Sequence, residues 1–339
     1  MGIAFFLTLL SLVACNKDSG PDNSNVVPAN LTVTAQISED NSGNVAFVAT
    51  ATNAATYEYD FGNGVYQTVP TGKVTYTYPA SGNYTVNVTA KSATGNTIKK
   101  SVPVAVTVAQ TLVWADEFNT PGAPDPAKWG YDIGNGDNGW GNNELQYYTN
   151  RLENAQVSNG TLKITAKKEA FSGKAYTSAR LLTKGKFAAK YGKIEARAKL
   201  PVGVGTWPAI WMLGANIDQV GWPACGEIDI MEHKGSDLNR IYGTLHYPGR
   251  SGGNAHGNTT VINNATSEFN IYTVEWTPTV LKFAVNGKEF HSVNNSNNIP
   301  FNHDFFIILN CAMGGGFAGP VDPAFTAATM EVDYIRVYK

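Results

Sequence analysis

From Gly226 to His233 the chain reads Gly-Glu-Ile-Asp-Ile-Met-Glu-His. Side chains along a strand alternate between its two faces. Glu227 and Asp229 therefore share one face, while Ile228 and Ile230 point into an apolar layer behind. Strict alternation would put Glu232 on the buried side with the isoleucines, where an ionised carboxylate is expensive unless it is paired. A β-bulge near Met231 adds one residue and returns Glu232 to the face of Glu227 and Asp229. The stretch is thus confined to a sheet with one apolar face and one face crowded with carboxyl groups.

Like charges a few ångströms apart do not all ionise freely, so at least one pKa is expected to rise. A high-pKa carboxyl beside a low-pKa carboxylate is what retaining glycoside hydrolysis requires, with the two groups roughly 5–5.5 Å apart. In that scheme Glu227 attacks the anomeric carbon and Glu232 protonates the departing oxygen. Asp229 would hydrogen-bond the nucleophile and tune its charge. On spacing alone, an exposed acidic strand with one irregularity fits equally well, and the flanks decide. Trp207 and Trp211 stand four apart in Thr206-Trp-Pro-Ala-Ile-Trp-Met-Leu213. A tryptophan pair alone reads more readily as core. Beside a carboxylate trio, the flat indoles with their polar edges suit the C–H faces of sugar rings.

Four segments together resemble glycoside hydrolase family 16, more narrowly its laminarinase-type endo-β-1,3-glucanases. They are Trp-Pro-Ala-Ile-Trp-Met-Leu (207–213), Trp-Pro-Ala-Cys-Gly-Glu-Ile-Asp-Ile-Met-Glu (222–232), Asn-Asn-Glu-Leu-Gln-Tyr-Tyr (142–148) and Val-Asp-Tyr-Ile-Arg-Val-Tyr (332–338). The resemblance implies an all-β fold, a β-jelly-roll sandwich of the concanavalin A-like kind, with a sugar cleft across one sheet. It also implies nucleophile Glu227, assisting Asp229 and acid/base Glu232. The Met-containing, bulged motif fits laminarinases rather than the tighter lichenase form.

The 339 residues suggest two domains, and only 15% of them are charged, with a net charge of −2. Neither nucleic acid nor an acidic membrane surface is implied as a partner. Met1 to Cys15 carries a short apolar run ending Leu12-Val13-Ala14-Cys15, too short to span a bilayer. It resembles the bacterial lipoprotein signal, which would make Cys15 the lipidated residue of an exported, membrane-anchored protein. Residues 16–29 read as a flexible tether. Cys225 is expected to share the cleft face, and pairing with Cys311 is one option; a packed free thiol is the default. A monomer is expected.

Residues 30–109 hold short alternating strands separated by turns such as Gly62-Asn-Gly64 and Ser81-Gly-Asn83, a β-sandwich signature. Tyr57-Glu-Tyr-Asp-Phe-Gly-Asn-Gly64 with Gly82-Asn-Tyr-Thr-Val resembles the immunoglobulin-like polycystic-kidney-disease (PKD) module. No acid/base pair stands out there, and a spacer role is expected. From residue 110 to 339 the strands become Trp-, Tyr- and Gly-rich with longer loops, and Val285-Asn-Gly-Lys288 signals a hairpin.

Several polar residues are candidate sugar ligands: Arg180, Arg197, His246, Asn143 and Asn310. For Arg197 a surface ion pair is the plain alternative, and for His246 a neutral hydrogen-bonding role is preferred to metal ligation. No cofactor is needed for catalysis. The resemblance implies a structural Ca²⁺ away from the cleft, with Asp333 as side-chain ligand and backbone oxygens near Glu117 and Gly160; hard oxygens suit that ion. β-Glucan is thus the expected partner and endo-hydrolysis of β-1,3 bonds the expected activity. Mixed-linkage glucan, an agar-type galactan, transglycosylation and a non-catalytic glucan-binding lipoprotein are the alternatives.

Overall fold

The computed structural model describes residues 26–339. The apolar segment with Cys15, expected to be a signal, and the expected tether up to residue 25 lie outside the described residues. The chain divides into two compact units between Ala109 and Gln110.

In the first unit, seven strands form two sheets. Ala29–Ile37, Asn44–Thr52 and Lys73–Thr77 make one; Tyr66–Val69, Thr56–Asp60, Gly82–Lys91 and Thr97–Val106 make the other. Alternation buries Val45, Phe47 and Ala49 from one sheet against Tyr57, Tyr59, Val86 and Val88 from the other. The buried Tyr59 hydroxyl donates to the carbonyl of Gly72 at 2.6 Å, so its polar tip does not go unpaired.

The second unit is a sandwich of a ten-stranded and a seven-stranded sheet. Leu162, Ile194, Val274 and Met330 from the first meet Ile210, Ile228, Ile230 and Leu309 from the second in one shared core. The strands of the seven-stranded sheet are β1 (Gly130–Asp132), β2 (Arg180–Leu182), β3 (Thr206–Gly214), β4 (Glu227–Lys234), β5 (Asp237–His246), β6 (His256–Val261) and β7 (Phe305–Met313). They run in the order β6-β5-β4-β3-β7-β2-β1, every pair antiparallel. The Asn286-Gly287 turn has positive φ at both positions, 51° and 77°, as a tight two-residue hairpin demands.

The bulge expected near Met231 is present. Against β3, Asp229 pairs with Trp211 but Met231 pairs with Ile210, leaving Ile230 as the extra residue. Against β5, Asp229 faces Thr244 while Glu232 faces Tyr242. Ile228, Ile230 and Met231 all lie in the core. Each such side chain contributes about 1.5–3 kcal/mol by leaving water. A one-residue slip of β4 would trade Ile228 and Ile230 for Glu227 and Asp229, which fixes the register.

Candidate active site

The face of the seven-stranded sheet turned away from the core floors a cleft of about 1020 Å³. Glu227, Asp229 and Glu232 line it from β4, together with Trp207, Trp211, His246, Arg180 and Asn310 from neighbouring strands. The Trp222 indole donates to Oε2 of Glu227 at 2.8 Å. Asp229 hydrogen-bonds the Glu227 carboxyl. His246 Nε2 lies 3.3 Å from Oδ2 of Asp229 and 3.9 Å from Oε1 of Glu227. At the far end of the trio, Glu232 accepts the Trp207 indole N–H at 3.0 Å and the Thr244 hydroxyl at 3.2 Å. Glu227 and Glu232 are thus each fixed by an indole donor, with Asp229 between them.

All three carboxyl groups are harder to ionise than usual. Burial, then the charge of Asp229, pushes Glu227 up to about 8. Burial and the charge of Glu232 carry Asp229 well above the ordinary carboxylate range, and burial raises Glu232. The expected low-pKa nucleophile is therefore corrected for the free enzyme: desolvation acts on all three, and charge repulsion adds to it at Glu227 and Asp229. Hydrogen bonds pull against this shift in all three: from Trp222 at Glu227, from Glu227 at Asp229, and from Trp207 and Thr244 at Glu232. Asp229 is the most enclosed, its side chain 5% exposed against 17% for Glu227.

The cleft continues as an aromatic wall. Trp211 donates its indole N–H to Oδ1 of Asn310 at 2.7 Å. The Arg180 guanidinium lies 4.8 Å from the Trp211 ring centroid and 4.4 Å from that of Trp140, and it pairs with Asp132 at 3.0 Å. An arginine between two indoles is a stiff, flat support. Trp207 packs against Phe317, ring centroids 4.9 Å apart.

Other expected ligands sit elsewhere. Arg197 lies on Gly192–Lys199 of the ten-stranded sheet, where it pairs with Asp333 at 2.5 Å and covers the Phe269 ring at 4.8 Å. It does not brace the cleft carboxylates, and the surface ion pair is the correct reading. Asn143 is an exposed residue with φ of 58° in the turn Gly139–Asn143; Asn142 lines the cleft in its place. Left-handed backbone at Trp140, Gly141 and Asn143 folds this segment into a tight turn. Asn310 does line the cleft, but its amide is committed to Trp211 and Tyr148. Glu117 is held by Arg336 through both carboxylate oxygens, at 2.8 and 2.9 Å.

Cys225 and Cys311 are both free and buried. Cys311 lies in the core between the sheets, whereas Cys225 packs in a separate cluster with Leu182, Leu213 and Phe306 on the cleft side. A sheet separates them, and they do not pair. Burial pushes their thiols up to about 12 and about 11, which leaves them unreactive.

Trp222, Thr244, Trp140 and Asp132 are site residues that the strand pattern does not single out. Thr244 was reachable, since it pairs directly with Asp229 once β5 is laid beside β4. Trp222 and Trp140 sit in loops, where no periodicity fixes a direction.

The Glycosyl hydrolases family 16 model matches residues 142–336 and the PKD domain model residues 20–106. A beta-glucanase of Rhodothermus marinus is 43% identical over 244 residues, covering 67% of this chain and 85% of that protein. The laminarinase catalytic domain of Thermotoga maritima superposes with a TM-score of 0.64 at 46% identity, covering 68% of this chain and 98% of that one. The laminarinase of Flavobacterium sp. UMI-01 gives 0.64 at 42% identity, covering 68% and 100%. A family model spanning more than half of the sequence, and relatives of this identity matched over most of their own length, establish that the chain belongs to glycosyl hydrolases family 16.

Proposed function

We propose that this protein is a retaining endo-β-1,3-glucanase that cleaves internal bonds of laminarin-type glucans. The observation that carries it is the carboxyl trio on one bulged strand, with an indole donor on each outer member. The likeness to a beta-glucanase and to laminarinases supports β-1,3-glucan as the substrate. Glu227 attacks the anomeric carbon while Glu232 passes its proton to the departing glycosidic oxygen. The covalent glycosyl-enzyme is then hydrolysed by a water that Glu232 deprotonates. Asp229, hydrogen-bonded to Glu227, holds that carboxyl group in place and tunes its charge. A non-catalytic glucan binder has no reason to keep three mutually repelling buried carboxyl groups. The test is to incubate the enzyme with laminarin, mixed-linkage glucan and agarose and to size the products over time. Early appearance of mixed short oligosaccharides from laminarin is expected; release of products from agarose alone overturns the reading.

Two further readings belong with this one. Cys15 is lipidated and anchors the exported enzyme to a bacterial membrane, which the apolar run Ile3 to Ala14 ending at that cysteine supports. Replacing Cys15 by serine should move the protein from the membrane fraction to the soluble one. A structural Ca²⁺ would be held by Asp333 with main-chain oxygens of Glu117 and Gly160. Strand pairing fits this, since Val332 faces Leu162 and Ile335 faces Asp116, which brings the three residues to neighbouring strands. Arg197 engages Oδ2 of Asp333, so Oδ1 is the oxygen that would bind. The ion would tie three strands of the ten-stranded sheet together; adding EDTA should then lower the melting temperature.

A further inference from the structure

Glu144 is a carboxylate buried in the wall of the cleft, 6% exposed and outside the catalytic trio. Three side chains donate to it. Asn142 Nδ2 reaches Oε1 at 3.2 Å, while Gln146 Nε2 and the Tyr148 hydroxyl reach Oε2 at 2.6 and 3.2 Å. The directions of these bonds are fixed from outside. The backbone N–H of Met313 donates to Oε1 of Gln146 at 2.8 Å, so only the Nε2 end of Gln146 can face Glu144. Tyr148 gives its one proton to the carboxylate, and its oxygen must then accept. It accepts from Nδ2 of Asn310 at 3.0 Å. That choice turns Oδ1 of Asn310 toward Trp211, whose indole N–H it receives at 2.7 Å. An acceptor-only group at the start of the chain thereby sets the polarity of every later bond.

We infer that the carboxylate of Glu144 is a positioning group that sets the orientation of the Trp211 indole through Tyr148 and Asn310. The inference rests on the reading of Trp211 as a sugar platform only for its consequence in binding. Burial and the charge of Glu144 together hold the Tyr148 hydroxyl well above its ordinary pKa, so it stays a donor. The same circuit closes on the other side of the ring. Arg180 lies between Trp211 and Trp140, and Trp140 packs against Tyr148 with ring centroids 5.9 Å apart. An amide in place of the carboxylate would turn an N–H toward at least one of Asn142, Gln146 and Tyr148, all of which are donors there. Tyr148 could then reverse, and Asn310 would flip its N–H₂ toward the indole N–H.

The test uses the full chain with ¹⁵N-labelled tryptophan, whose seven indole N–H signals are resolved and assigned with Trp211→Phe. Glu144→Gln and Tyr148→Phe should each move the Trp211 signal and leave that of the core residue Trp129 in place. Tyr148→Phe cuts the link while leaving Asn142 and Gln146 on Glu144, so it carries the test if Glu144→Gln does not fold. Laminarin KM should rise about tenfold, because the displaced indole loses part of its contact with the sugar ring, with kcat little changed. A Trp211 signal that stays put in the folded variants overturns the inference. A moved signal with unchanged KM supports the inference and overturns the platform reading of Trp211 instead.

Discussion

Trp222 donates its indole N–H to Oε2 of Glu227 across 2.8 Å, from a loop five residues upstream on the same chain. The bond favours the charged form of a carboxyl that burial and the charge of Asp229 still push up to about 8. Removing it with Trp222→Phe should raise the Glu227 pKa further. The acidic limb of the kcat/KM profile should move to higher pH, and the rate at pH 6 should fall about tenfold or more, as expected for a hydrogen bond to a charged group. An unmoved acidic limb would mean that Trp222 serves only as a wall.

The same burial has a consequence for stability. The folded pKa of Glu227 lies above its ordinary value of 4.5, so the native state binds its proton more tightly than the unfolded chain does. The contribution of this carboxyl is complete below about pH 4.5 and is lost as pH rises through about 8. Glu227→Gln cannot lose it. The variant, folded and without turnover, should melt several degrees above wild type at pH 9, with the gap closing toward pH 4. Equal melting temperatures at pH 9 would contradict the raised pKa.

Arg180 pairs with Asp132 and lies between two indoles, an arrangement that needs a planar cation. Arg180→Lys keeps the charge but loses the stacking. Its laminarin KM should rise about tenfold through a loosened aromatic wall, with kcat nearly unchanged. A fall in kcat at constant KM would instead place Arg180 in the chemical step.

Much of this site was legible because it lies on strands. The period of two, broken once at Ile230-Met231, placed Glu227, Asp229 and Glu232 on one face, and the structure has that bulge. Trp207 and Trp211 followed from the same parity. The readings that went astray concern sheet membership and loop geometry. Arg197 alternates like a cleft residue, but nothing local in Gly192–Lys199 says which of two sheets the strand joins. Asn143 failed because the turn at Gly139–Asn143 has left-handed backbone. Glu144 was in view within a recognised segment, yet its role depends on Asn310, far away in sequence and brought close only by packing. The pKa of Glu227 was missed for another reason: charge crowding is visible in a sequence, but the depth of burial is not.

Deleting Met231 tests the bulge itself. Without the extra residue, unbroken alternation over Glu227-Ile228-Asp229-Ile230-Glu232 already keeps Glu232 on the face of Glu227 and Asp229, so the bulge is no longer needed. The deletion should give folded protein that still turns over laminarin, read by circular dichroism and activity. A folded deletion variant without turnover would show that parity along this strand does not decide where Glu232 points.

A covalent intermediate on Glu227, formed and then hydrolysed with the help of Glu232, fixes the configuration of the product. It is tested most directly by following laminarin cleavage with ¹H NMR and observing the anomeric proton of newly formed reducing ends before mutarotation. The expected signal is the β anomer, appearing first and decaying slowly to the equilibrium mixture. The α anomer appearing first would contradict the account, because it would require water, rather than Glu227, to attack the anomeric carbon directly.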